Sequence, residues 1–232
     1  MKKALILLSL LVTLVGCNNG SRLSSDDNKI YYGETPVGTF LPVESDAIAY
    51  DDQMEFLDDN TLKITRTFTA LQDIDSIRLT LNFRHESECQ SAMIPSVSYD
   101  GNHWGKGKEP KGFQTDGVWH TYSYRRTPIP GATYSEGKDF AVAMWSTNPT
   151  NEAEAFSCSL MPEETEVTHS LILPEEERPF IYSGRDSYKD GFARKLSMRK
   201  GETRKMEAYL SVSPKSDNSY PIATFLDKAW EL

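Results

Sequence analysis

Across the stretch SIRLTLNFRHE apolar and polar residues alternate, with Ile77, Leu79, Leu81 and Phe83 on one side and Arg78, Thr80, Asn82 and Arg84 on the other. A period of two marks a strand with one face on a core and the other in water. Val167, His169, Leu171 and Leu173 repeat the pattern. So do two runs near the C-terminus, one with Phe192, Leu196 and Met198 on a face, the other with Met206, Ala208, Leu210 and Val212. Arg199-Lys200-Gly201-Glu202 between those runs reads as a hairpin connection, and Asp58-Asp59-Asn60 as the turn between strands at 54–57 and 61–68. Further strands are expected at 93–99, ended by Asp100-Gly101, at 119–125, at 139–145, around Cys158 and at 222–226. No segment carries a long helical stripe.

About a dozen strands separated by Gly, Pro, Asn and Asp clusters argue an all-β chain, most simply one antiparallel β-sandwich domain of jelly-roll-like form. The alternative is two immunoglobulin-like sandwiches meeting near 174–179, where PEEERP is the one linker-like break. A bridge between Cys89 and Cys158 would leave the C-terminal part only about 50 residues, small for a sandwich of its own.

The first residues follow a different logic. Met1-Lys2-Lys3 is cationic, residues 4–15 are almost wholly apolar, and Gly16 precedes Cys17. That is the layout of an export signal, and it falls short of the roughly 20 apolar residues a membrane span needs. Leu14-Val15-Gly16-Cys17 resembles the lipobox of bacterial lipoproteins. The resemblance implies cleavage before Cys17 and a diacylglycerol on its sulfur. The expected organisation is therefore a signal peptide at 1–16, a polar tether at 17–29 and a sandwich at 30–232. Two or more acyl chains would hold the protein stably at a membrane. In Gram-negative members of that class an aspartate after the cysteine goes with inner-membrane retention, so Asn18 points to the outer membrane.

Composition narrows the partners. The formal charge of −9, two units more negative once Lys2 and Lys3 leave, argues against nucleic acid. With Cys17 acylated, Cys89 and Cys158 are an even remainder in a compartment outside the cytoplasm, where a disulfide is expected. A zinc pair is the weaker alternative, because neither has a C-x-x-C neighbour.

Catalytic patterns are poor. Ser197-x-x-Lys200 and Ser216-Asp217-Asn218 match two of the three motifs of penicillin-binding enzymes, but no K-T-G follows and Ser197 falls in a strand pattern. His85 is beside Glu86 and Glu88, yet neighbours on a strand face opposite ways. His169 shares a face with Val167 and Leu171 and is expected to be a hydrogen-bonded core histidine. No cofactor is expected, with a structural calcium at Asp51, Asp52, Asp58 or Asp59 as the exception considered.

Aromatic, glycine and amide residues concentrate in VSYDGNHWGKGKEPKGFQTDGVWHTYSYRR. Aromatic faces cover the C–H face of a sugar while imidazole, amide and carboxylate groups bond its hydroxyls. DGVWHTY also resembles a phrase in carbohydrate-binding jelly rolls and laminin-G-like sandwiches, which implies glycan binding. Tyr99, His103, Trp104, Trp119, Tyr122 and Trp145 are the ligand-binding candidates. The reading is a non-catalytic, membrane-anchored binding module for glycan, or else a structural lipoprotein docking on an envelope protein complex.

Overall fold

The computed structural model describes residues 22–99, 112–115, 117–178, 180–181, 188–189, 192–216 and 221–232. Cys17, His103 and Trp104 lie outside the described residues. The chain opens with β1 (Leu23–Asp26), β2 (Lys29–Tyr32), β3 (Thr35–Phe40), β4 (Ile48–Phe56), β5 (Thr61–Ala70) and β6 (Leu79–His85). Short strands follow: β7 (Ser91–Ile94), β8 (Ser98–Tyr99), β9 (Gln114–Thr115), β10 (Val118–Trp119) and β11 (Thr121–Ser123). The remainder holds β12 (Thr133–Glu136), β13 (Phe140–Trp145), β14 (Ser157–Pro162), β15 (Val167–Leu173), β16 (Phe180–Ile181), β17 (Tyr188–Lys189), β18 (Thr203–Pro214) and α1 (Pro221–Glu231).

Two seven-stranded antiparallel sheets face each other, in the orders β1-β2-β3-β6-β15-β14-β11 and β4-β5-β18-β13-β12-β7-β8. The expected antiparallel β-sandwich is the fold. Its core follows from the alternation: Leu79, Leu81 and Phe83 from the first sheet join Leu62, Ile64, Phe68, Ala208, Leu210 and Val212 from the second in one buried cluster. That cluster takes residues from Leu23 to Val212, so sequence on both sides of 174–179 builds the same interior.

Between the sheets lie two polar assemblies. Arg66, 1% exposed and flanked on its face of β5 by Ile64 and Phe68, forms a two-pronged ion pair with Asp52 at 2.7 and 2.6 Å. Its remaining nitrogen donates to the Leu41 carbonyl at 2.9 Å, joining the two sheets. Nearby, Ser135 Oγ is 3.0 Å from His85 Nδ1 and 2.8 Å from His169 Nε2, and Thr133 Oγ1 is 2.9 Å from His169 Nδ1. All four are buried. His169 is thus the hydrogen-bonded core histidine expected, and Glu86 turns outward to Thr39 and Lys29.

Several expectations are corrected. No disulfide joins Cys89 and Cys158: Cys158 is buried on β14, where loss of solvent pushes its thiol up to about 12, and Cys89 is half-buried in the β6–β7 connection. Residues 222–226 are helix. Ile222, Phe225, Leu226 and Ala229 have the i, i+3, i+4, i+7 spacing of an amphipathic face, and Pro221 is well suited to a first helical turn. Residues 192–198 form only single bridges, at Ala193 and Met198, and β18 pairs with β5 and β13 instead. β1 and β2 pair within the first sheet, so the sandwich already includes part of the stretch expected as tether.

The linker-like PEEERP is the opposite of a linker. Glu175, Glu176 and Glu177 are 3 to 5% exposed. Burying a carboxylate costs several kcal/mol unless it is paired, and each one is. Arg194 and Ser123 hold Glu175, Arg78 and Arg178 hold Glu176, and Arg126 grips Glu177 with two bonds at 2.7 and 3.0 Å. Backbone bonds from Glu177 to Phe192 and from Arg194 to Glu175 tie this segment to the chain returning beyond it.

Candidate functional site

A cleft of about 670 Å³ opens at one end of the sandwich, between the end of β15 and the start of β18. The inward periodicity that places Leu171 and Leu173 in the core on β15, and Met206 on β18, brings these side chains to the floor beside Phe156. Phe156 and Met206 are each 6% exposed there, and Leu171 and Leu173 are 1 and 2% exposed. Gly131, at φ +66°, lies below this floor. A Cβ there would stand 2.6 Å from the Phe156 ring and 2.9 Å from Leu171, so the close approach of chain and floor requires glycine.

The rim is polar and internally braced. It comes from residues 146–151, which follow β13, from the 3₁₀ turn Glu152–Glu154, and from the first residues of β18. Glu154 accepts from the Thr150 amide at 3.2 Å and hydroxyl at 2.6 Å, and these bonds hold its carboxyl below the usual range. Asn151 caps the 3₁₀ turn, its side chain accepting from the Ala153 amide at 3.0 Å. Ser146 Oγ donates to the Glu207 carbonyl at 2.7 Å, fastening the loop to β18. On the outer side Arg194 spans from Glu175 to Glu152 at 3.0 Å, so the buried glutamates also steady the 3₁₀ turn. An apolar floor under hydroxyls, amides and charged groups is suited to holding a polar molecule that has one apolar face.

Among the described residues, those singled out from the sequence do not all converge on one place. Trp145 is 2% exposed on the outer face of the second sheet, stacked with Tyr209 at 5.7 Å and covered by Phe225 of α1 at 5.3 Å. It is a packing residue. Trp119 is half-buried against the main core. Tyr122 is half-buried on β11, its hydroxyl 2.9 Å from Ser98 Oγ and 3.4 Å from His120 Nδ1. Burial raises the Tyr122 hydroxyl and lowers the His120 imidazole, so both are neutral near pH 7. Ser98 also donates to the Gly112 carbonyl at 3.0 Å. Tyr99 is in β8, opposite Met93 of β7.

Two of the four candidate calcium carboxylates are engaged elsewhere. Asp52 is bound by Arg66, and Asp58 accepts from the Asn60 amide and from Lys228. Ser197 is exposed and outside any helix. Sequence reasoning missed the cleft because its walls are remote in the chain. One available sign was the run Ser146-Thr147-Asn148-Pro149-Thr150-Asn151, which resembles an ordinary surface loop until β15 and β18 are placed beside it.

Neither the profiles of known protein families nor the curated protein sequences match this chain. Among solved structures, it aligns with the crystal structure of a "putative aldose 1-epimerase" from Escherichia coli K12 at 12% identity. The alignment covers 82% of this chain and 67% of that one, with a TM-score of 0.31, a likeness too distant to carry a functional argument.

Proposed function

We propose that this protein is a lipid-anchored binding module whose sandwich presents the end cleft to a glycan. The observation that carries the reading is the cleft itself: about 670 Å³, floored by Phe156, Leu171, Leu173 and Met206 and rimmed by Thr147, Asn148, Thr150 and Asn151. A saccharide has the matching division, with an apolar C–H face and a periphery of hydroxyls. Sites of roughly this volume bury most of the surface of a small ligand. The lipobox at residues 14–17 supports the anchor and an extracytoplasmic address, with Asn18 favouring an outer membrane.

The test is a glycan array probed with the mature chain carrying Cys17→Ser, beside Ala153→Trp and Trp104→Ala. Ala153 is exposed on the cleft rim, so a tryptophan there obstructs the mouth without entering the core. Binding lost in Ala153→Trp alone supports the cleft. Binding lost only in Trp104→Ala moves the site to the aromatic loop. A folded protein that retains no glycan rejects the reading and directs the search to an envelope protein partner.

A further inference from the structure

Two shallower clefts open at the opposite end of the same strands. One, of about 330 Å³, is lined by Arg22, Tyr32, Asp59 and Ser213, and the other, of about 470 Å³, by Tyr32, Lys138, Asp139 and Lys215. They share the Tyr32 ring. β18 reaches the glycan cleft at Thr203–Glu207 and these clefts at Ser213 and Pro214, with Lys215 just beyond, while β13 meets the second of them at Phe140 and the glycan cleft just past Trp145. Six residues at about 3.3 Å each, from Glu207 to Ser213 and from Phe140 to Ser146, separate the near edges of the two ends by about 20 Å.

The chain enters the sandwich at this second end. The Arg22 carbonyl is fixed by the Gly33 amide at 2.7 Å, and Leu23, buried, begins β1. Only five peptide units connect Cys17 to Arg22. Fully extended they span about 18 Å, and as a flexible chain their mean reach is about 12 Å. A body tens of ångströms across cannot turn freely on so short a leash.

We infer that the sandwich docks on the phospholipid headgroups through the Tyr32 end, holding the glycan cleft on the far side of the molecule. The inference rests on the lipidation proposed above. The headgroups it fits are zwitterionic. Arg22 and Lys138 are cations suited to a lipid phosphate, and Asp59 and Asp139 are carboxylates suited to the adjoining ammonium, while a body two units more negative than the −9 of the whole sequence is repelled by a strongly anionic surface. Tyrosine, apolar in the ring and polar at the tip, suits the boundary layer. Tyr32 Oη is already engaged with Asn60 at 3.1 Å and Arg22 at 3.2 Å, and its ring lies 5.7 Å from Phe140, which fixes the shape of this end.

Lysine footprinting tests the orientation without substitution in the sandwich. The acylated full chain is reconstituted in phosphatidylethanolamine–phosphatidylcholine vesicles and acetylated, and site rates are compared with Cys17→Ser protein mixed with the same vesicles, whose headgroup amines consume the reagent equally in both. Lys138 and Lys205 are both exposed, at opposite ends. The expected result is at least a threefold slower reaction at Lys138 with Lys205 unchanged. Equal rates at Lys138, or slowing at Lys205 instead, overturn the docking and leave the anchor standing. The intact mass separates the other failure: a chain from the native host with no acyl mass on Cys17 overturns the anchor and the docking together.

Discussion

Arg66 is the residue whose environment departs most from its chemistry. A guanidinium between two apolar sheets is tolerated because Asp52 neutralises it, the Leu41 carbonyl accepts a third hydrogen bond, and the Tyr50 ring lies 4.7 Å away. Replacing one partner strands the other, which costs about 3–5 kcal/mol, whereas an apolar pair of similar volume is close to neutral. Urea denaturation should therefore show Arg66→Met destabilised by that amount and Arg66→Met with Asp52→Leu recovering most of it. The two histidines make a separate prediction about pH. Burial lowers His85 to about 4, against a small opposing pull from Glu86, and lowers His169 to about 3, with His85 adding to the effect. Their unfolded values lie near 6.5, so the unfolded chain takes up protons first as pH falls. Stability is complete above about pH 6.5 and declines toward the folded values, each histidine removing about 2 kcal/mol by pH 5. Urea midpoints at pH 7 and 5 measure this, and His169→Gln should flatten part of the slope.

At the level of elements, α1 covers a face that the sheet alone would leave wet. Phe225 is buried against Trp145 and Tyr134, and Lys228 reaches across to Asp58 in the β4–β5 turn at 3.0 Å. Phe225→Ala is expected to cost about 3–5 kcal/mol and to shift tryptophan emission to the red as Trp145 meets water. An unshifted spectrum would mean the helix is not what shields it. Strands with one wet face, such as β6 and β15, were legible from alternation alone. α1 was not, because its stripe is only three turns long and its apolar residues also satisfy a short strand pattern. PEEERP misled for a related reason: three consecutive glutamates indicate solvent unless their partners are known, and Arg78, Arg126 and Arg194 come from places far apart in the chain. The same limit applied to the site. Tyr122 was found where a strand was expected, but Trp145 faces the helix, and the cleft floor joins Phe156 to Met206 across 50 residues of sequence.

For the whole molecule, the two ends of β13 and β18 differ, with the described chain's first residue at one and the wide cleft at the other. If the short leash sets the sandwich on its Tyr32 end, the cleft stands at least about 20 Å from the headgroups, more than two Debye lengths at physiological salt. Neither the lipid charge nor its bulk then reaches the ligand. Once a glycan is identified, its dissociation constant should agree within twofold between the acylated protein on vesicles and the soluble Cys17→Ser chain. The agreement should persist when the vesicles are made more anionic, since a field screened over that distance contributes little. A loss of threefold or more on vesicles would mean that the mouth faces the bilayer. Binding should also stabilise the fold as a unit, because the floor joins both sheets: at one hundred times the dissociation constant the gain is about 2.7 kcal/mol. That gain should be absent in Ala153→Trp.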